Sequence, residues 1–154
     1  MTRYTDIESI IKAGIIKEND SPNCVKLMQR KLIEYNEGVS LTCVYPVLEI
    51  YSNPRKSMQG GFIGAAFDNA YGALVYLTTK KMDMATIDLN VSYHKPIYEN
   101  DRLTVTVYLK ALGKTIIHLT GEAFDGQGNL IASSTTNFFM LEKSTILTNN
   151  TKES

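Results

Sequence analysis

Tryptophan is absent, cysteine and histidine occur twice each, and 16 basic side chains balance 16 acidic ones for a formal net charge of zero. Each shortage removes a class of function. Without excess positive charge there is no general field to hold nucleic acid or an acidic membrane surface. Cys24 and Cys43 show neither metal-ligand nor redox spacing. His94 and His118 stand in no cluster with cysteines or carboxylates at ligand spacing, so no metal site is expected. No P-loop or dinucleotide-type glycine pattern is present. Ser57 lacks a nucleophile-elbow context, and no repeat of roughly 20 to 50 residues recurs. With no leader segment, the expected setting is the reducing cytoplasm. There the sequon Asn149-Asn150-Thr151 has no meaning.

What remains is an ordinary globular composition, 44% hydrophobic and 21% charged over 154 residues. This suits a single domain with a substantial core. Its centre is residues 57–79, SMQGGFIGAAFDNAYGALVYLTT. The stretch reads as one long helix, apolar almost all the way round, which must be buried in a core or in a membrane. Asp68 and Asn69 sit at its middle, and a carboxylate there makes a membrane span costly. A core helix wrapped by the rest of the chain is therefore expected. Gly64 and Gly72 allow close approach of other backbone, at about 1 kcal/mol each relative to alanine.

Before this helix, Thr5-Asp6-Ile7-Glu8 has the form of a capping box. Ile7, Ile10, Ile11 and Ile15 follow at helical spacing, predicting an amphipathic helix to about residue 18. Ser21-Pro22 predicts a second, shorter helix with Val25, Met28 and Leu32 inward. Residues 1–30 thus read as a helical arm. Residues 31–50 are mostly extended, with a turn at Asn36-Glu37-Gly38. After the central helix the period changes to two. Ala85, Ile87, Leu89, Val91 and Tyr93 alternate with polar residues, predicting a strand with one buried face. Further strands are expected at 102–110, at TIIHLTGEAF and at LIASSTTNFFML, with a hairpin loop at Asp125–Asn129. Residues 142–154 read as a polar tail. A meander of this kind twists and curls. The expected class is α+β, a curled antiparallel sheet wrapped around one long central helix.

Several short motifs in a fixed order add a resemblance. Asn53-Pro54, Gln59-Gly60-Gly61, Asp68 within GGFIGAAFDNAYG, TIDLNVSYHKP and LGKTI together resemble the hotdog-fold acyl-CoA thioesterases. The closest group is the phenylacetate-pathway type, related to 4-hydroxybenzoyl-CoA thioesterases. The resemblance covers roughly residues 30–141, with the hotdog domain expected over 31–141. It implies a hotdog domain, a homodimer often paired into a homotetramer, and hydrolysis of a CoA thioester at the dimer interface. It implies no metal or prosthetic group, coenzyme A being part of the substrate. Where many members have His-Gly-Gly, this chain has Gln59-Gly60-Gly61. A glutamine amide can donate to a thioester oxygen but cannot shuttle a proton near neutral pH.

Gly60 begins the helix, where N–H groups lack intrahelical partners and can stabilise an oxyanion. Asp68 lies eight positions on, about 12 Å along the axis, too far to reach a carbonyl held at Gly60. Two such helices packed antiparallel across an interface would bring Asp68 of one against Gly60 of the other. Asp68 is then general base or nucleophile; the alternative is a core carboxylate satisfied by Asn53 or a backbone N–H. Asn53 either orients a water or simply starts its Asn-Pro turn. Thr86 lies where the resemblance implies a hydroxyl near the attacking water, against plain β-propensity. Gln59 is either a donor to the substrate or a solvated helix-start residue. By the resemblance, Gly61, Tyr93, His94, Lys95, Pro96, Gly113, Lys114 and Thr115 contact CoA, with Arg55 and Lys56 contributing from their loop. Phe62, Phe67, Tyr71 and Tyr76 either shape an acyl pocket or belong to the core. Two other readings stand beside hydrolysis. One is a non-catalytic acyl-CoA binding or sensing domain. The other is a hydratase or dehydratase, whose histidine is missing.

Overall fold

The computed structural model describes residues 1–17 and 21–142, so the expected polar tail lies outside the described residues from 143 onward. Seven strands form one antiparallel sheet. They are β1 (Arg3–Tyr4), β2 (Lys31–Asn36), β3 (Ser40–Pro46), β4 (Met84–Tyr93), β5 (Arg102–Leu112), β6 (Ile116–Phe124) and β7 (Leu130–Met140). Their spatial order is β1-β2-β3-β5-β6-β7-β4. Among the described residues three α-helices accompany them, α1 (Ile7–Lys12), α2 (Asn23–Leu27) and the central α3 (Gly60–Thr79), with a short 3-10 turn at Glu49–Tyr51. This is the expected α+β hotdog arrangement, one long helix held by a curled sheet.

The arm departs from expectation in detail. Arg3 and Tyr4 pair with Asn36 and Tyr35, so the arm is not purely helical. Because the chain is still leaving that strand at Thr5, the cap falls to Asp6, which accepts from the Ser9 N–H at 2.7 Å. Helix α1 stops at Lys12 and not near 18, because the chain turns at Gly14, whose φ of 69° ends a helix readily.

Helix α3 buries Ile63, Phe67, Ala70, Tyr71, Leu74 and Leu77 against the concave face of the sheet. Full burial of each large side chain contributes about 1.5–3 kcal/mol. Gly121 on β6 makes room for this face. A Cβ there would stand 2.8 Å from the Tyr71 hydroxyl and 3.0 Å from the Phe67 ring. The Tyr45 hydroxyl donates to the Ala66 carbonyl at 2.9 Å, fastening β3 to the helix. Lys80, in the left-handed conformation at φ 60°, closes α3 and donates its N–H to the Tyr76 carbonyl at 2.8 Å.

Two expectations need correction. Helix α3 is not enclosed on every side, since Gly61 is exposed and Ala65, Asp68, Asn69, Gly72, Ala73 and Tyr76 are half-buried within the single chain. That strip reads as apolar because its residues are small, not because the chain covers them. Strand β4 likewise is no buried-face strand and no part of the meander. It lies at the sheet edge beside β7, with Ile87 52% and Tyr93 54% exposed. Alternation gives the faces of a strand but not its neighbour. Here the connection from β4 to β5 buries Ile97 and bonds back to the loop before α3, Met58 N–H to Ile97 carbonyl at 2.8 Å. The chain is thereby carried past a tight hairpin.

Candidate active site

Asp68 faces out of the open strip of α3, and Thr86 on β4 donates its hydroxyl to Asp68 Oδ1 at 2.9 Å. A register irregularity between Thr86 and Asp88 disturbs the ladder beside this residue. Such bulges bend a strand and re-aim side chains. Asn53 does not serve Asp68. Its Oδ1 accepts from the Arg55 N–H at 2.9 Å and the Ser57 N–H at 3.2 Å, while its Nδ2 donates to Ser57 Oγ at 3.0 Å. Asn53 therefore fixes the loop that delivers the chain to α3. A carboxylate satisfied in the core by Asn53 is not what the fold contains.

At the entrance of α3, Gln59 occupies the N-cap position without a side-chain capping bond. Its N–H donates to the Tyr51 carbonyl at 2.7 Å, and the Phe62 N–H returns to its carbonyl at 3.0 Å. The N–H groups of Gly60 and Gly61 take no backbone partner among the described residues, leaving them directed at whatever meets the positive end of the helix. Tyr93 covers this turn, donating its hydroxyl to the Gly60 carbonyl at 2.7 Å. A Cβ on Gly60 would lie 2.8 Å from the Tyr93 ring, and one on Gly61 would lie 2.7 Å from Gln59 Oε1. A Cβ on Gly60 would thus have to displace the Tyr93 ring, whereas one on Gly61 needs only the end of the Gln59 side chain to move. Within one chain, Asp68 and Gly60 remain eight helical residues apart, about 12 Å.

A cleft of about 580 Å3 runs along the open strip of α3, with Asp68 and Thr86 on its wall. Asn69, Ala73 and Tyr76 continue along the helix side, and Val25, Leu32 and Phe138 close it from α2, β2 and β7. Sequence reasoning had placed Asp68, Thr86 and Tyr76 at a site and Val25 and Leu32 inward, but it missed that Asn69, Ala73 and Phe138 join them in one cleft. The signal was present in the small residues at 61, 65, 72 and 73, whose spacing leaves one helix side shallow. Of the four aromatics considered for an acyl pocket, only Tyr76 lines the cleft. Phe67 and Tyr71 are fully buried against the sheet, and Phe62 packs on Tyr51 with ring centroids 4.8 Å apart.

The residues assigned to CoA fall into separate groups. Tyr93 stands at the α3 entrance; His94 Nε2 meets Ser133 Oγ at 2.9 Å, and Lys95 Nζ donates to Asn129 Oδ1 at 3.5 Å. Pro96 follows on the β4–β5 connection. Gly113, Lys114 and Thr115 form the β5–β6 turn, at the opposite end of the strands. Strand β6 alone separates the two ends by about 30 Å, so one chain does not bring both groups to a single ligand. Arg55 and Lys56 are exposed on the loop before α3. His118 Nδ1 meets Asn137 Oδ1 at 2.8 Å, so neither histidine is bonded to Asp68. Burial pushes the Cys43 thiol up to about 12, while Cys24 is exposed on the cleft. Among the described residues no His, Cys, Asp and Glu cluster fits a metal ion, and no helix is long and apolar enough to cross a membrane.

Comparison with known proteins adds a frame to this geometry. The family model described as "Thioesterase superfamily" matches residues 56–132. The PaaI protein of the Escherichia coli phenylacetic acid degradation operon superposes with a TM-score of 0.74 at 18% identity, covering 90% of this chain and 97% of that one. A phenylacetic acid degradation-related protein from Ralstonia eutropha JMP134 gives 0.72 at 23% identity, covering 83% and 97%. A Streptococcus mutans UA159 protein solved with acetyl CoA gives 0.69 at 15% identity, covering 82% and 97%. No curated protein matches the sequence.

Proposed function

The chain belongs to the thioesterase superfamily, and on that premise we propose that it hydrolyses the thioester of an acyl-CoA to free acid and coenzyme A. The observation that carries this reading is the Asp68–Thr86 pair, bonded at 2.9 Å on the wall of a cleft large enough for an acyl group. Pure binding gains little from a half-buried carboxylate, whereas hydrolysis can use one as general base or nucleophile. The acetyl CoA in the Streptococcus mutans structure supports CoA esters as the substrate class.

In the reaction, the thioester carbonyl oxygen rests on the free Gly60 N–H at the positive end of α3, with the Gln59 amide as a further donor. Asp68 comes from a second copy of the chain, which removes the 12 Å separation. Gly61 and Ala65, the small residues of the open strip that do not line the cleft, support close antiparallel helix packing. The exposed edge of β4 supports pairing of the two sheets, since an unpaired edge is a template for another strand. As general base, Asp68 takes a proton from water while the hydroxyl oxygen bonds to the carbonyl carbon. Collapse of the oxyanion breaks the C–S bond, and the thiolate takes the proton back. As nucleophile, the carboxylate forms a mixed anhydride that water then cleaves. Thr86 holds Oδ1 in either case, leaving Oδ2 for the water or the carbonyl carbon. The same two-chain assembly brings the Lys95 and Lys114 groups of different chains toward one nucleotide. Residues 31–141 form the catalytic unit, and Ile16, Pro22, Cys24 and Val25 of the arm wall the acyl cleft. No metal or prosthetic group enters these steps.

A panel of acyl-CoA esters with free thiol as the readout tests the proposal, alongside the mass of the assembly in solution. Turnover of at least one ester by a dimer or tetramer is expected. Tight binding of acyl-CoA without cleavage would leave a binding module, and a monomer would refute the shared site.

A further inference from the structure

The Asp68 cleft also contains a cation. Arg30, half-buried between α2 and β2, lines it. Its Nη1 donates to the Asn69 carbonyl at 3.0 Å, and among the described residues it forms no salt bridge. A guanidinium carries five donors in a planar fork, so the Asn69 carbonyl and the neighbouring Tyr45 hydroxyl leave part of that fork unused. Its charge is felt nearby: burial holds the Tyr45 hydroxyl well above its ordinary value, and Arg30 opposes that rise. Around it the walls are apolar, supplied by Val25, Leu32, Ala73, Leu77 and Phe138. Asn69 directly follows Asp68, and Tyr45 meets the Ala66 carbonyl, so the guanidinium lies beside the same turn of α3 that carries the carboxylate.

We propose that the acyl group of the substrate ends in a carboxylate, received by the Arg30 fork while its methylenes lie along the apolar wall. This rests on the thioesterase reading above. A carboxylate matches a guanidinium in planar, bidentate geometry, which a methyl terminus cannot use. The charges of the cleft, Asp68 against Arg30 with Lys17 as a second cation on its wall, also set its direction. Asp68 repels an anion at the reacting end, and Arg30 attracts it at the far end. Because Arg30 meets the carbonyl of the residue next to Asp68, the two charges lie close enough to suit a chain of only a few carbons, hence the CoA esters of short dicarboxylic acids.

The test compares glutaryl-CoA with hexanoyl-CoA on the wild type, Arg30→Gln and Arg30→Lys. Glutamine keeps an N–H for the Asn69 carbonyl and removes the charge, so arm packing is retained while anion binding is lost. The wild type is expected to favour glutaryl-CoA in kcat/KM by tenfold or more. Arg30→Gln should lower glutaryl-CoA turnover by about ten- to a hundredfold, as for loss of a charged hydrogen bond, and leave hexanoyl-CoA within about threefold. Arg30→Lys should fall between. Equal losses on both esters would make Arg30 a structural tether or a nucleotide contact, and no wild-type preference would sink the inference while leaving hydrolysis intact. If neither ester is cleaved, calorimetry with the corresponding non-hydrolysable thioethers decides. Tighter binding of the carboxylate-ended thioether that depends on Arg30 upholds the recognition and removes only the hydrolysis. Equal binding overturns it.

Discussion

Replacing Gly60 with alanine puts a methyl group 2.8 Å from the Tyr93 ring, about 1 Å inside the best carbon–carbon separation. Two responses are open to the molecule. Tyr93 is 54% exposed, so its ring can swing outward and give up its 2.7 Å bond to the Gly60 carbonyl. That bond contributes about 0.5–1.5 kcal/mol. Against it, alanine favours the helix over glycine by about 1 kcal/mol. The terms nearly cancel, and the melting temperature should move by only a few degrees. Activity should not escape as easily. The methyl group and the displaced ring sit beside the free Gly60 N–H, and an oxyanion donor removed or misaimed costs about 10²–10³ in kcat. The assay is steady-state thiol release from an accepted acyl-CoA, with a calorimetric melt on the same samples. The double variant Gly60→Ala with Tyr93→Ala relieves the collision and should recover part of the loss. A Gly60→Ala protein with kcat within twofold of wild type would refute the oxyanion role of this turn, as would a loss of activity matched by global unfolding.

Asp68→Asn should fold normally and lose about 10²–10⁴ in kcat, the range of a general base, and comparable turnover would end its assignment. Thr86→Val removes the hydroxyl that meets Asp68 Oδ1 and should lower kcat by about tenfold, whereas Thr86→Ser should stay near wild type in the same assay. Tyr71→Phe deletes a buried hydroxyl that forms no well-aligned hydrogen bond among the described residues, Ser134 being its polar neighbour; denaturant melts should find it neutral to within about 1 kcal/mol. Glu34 is held below its ordinary value of 4.5, first by its bond from Arg3 and then by Asn36. A lowered carboxylate contributes stability above its unfolded value and loses it as pH falls through the folded one. Melts from pH 7 down to 3 should therefore show wild type and Glu34→Gln converging in the acid range, and a constant gap would disprove the linkage.

The hydrophobic frame was legible because it is written locally. Helix α3 and strands β5 to β7 follow from periodicity and from turn residues such as Asp125–Asn129. What periodicity does not encode is which distant elements meet. Nothing in the alternation around Thr86 showed that its hydroxyl would reach Asp68, 18 residues away, and only the family resemblance brought the two to one site. For the same reason β4 was expected within the meander although it lies beside β7. Phe67 and Tyr71 looked equally suited to a pocket and to the core, because the sequence shows that a helix position is apolar but not which side the sheet occupies. Arg30 drew no attention at all. Its position depends on how the arm folds over α3, a contact across 39 residues.

The two thiols of the chain have unequal chemistry, and this bears on how turnover is observed. Cys43 is sealed in the core with its thiolate suppressed, so aromatic disulfide reagents should ignore it in the native protein. Cys24 opens onto the acyl cleft and would take up such a reagent, obstructing the channel in the act of reporting on it. A colorimetric trap for released coenzyme A would then poison the catalyst it measures, and a Cys24→Ser background gives a signal free of that artefact.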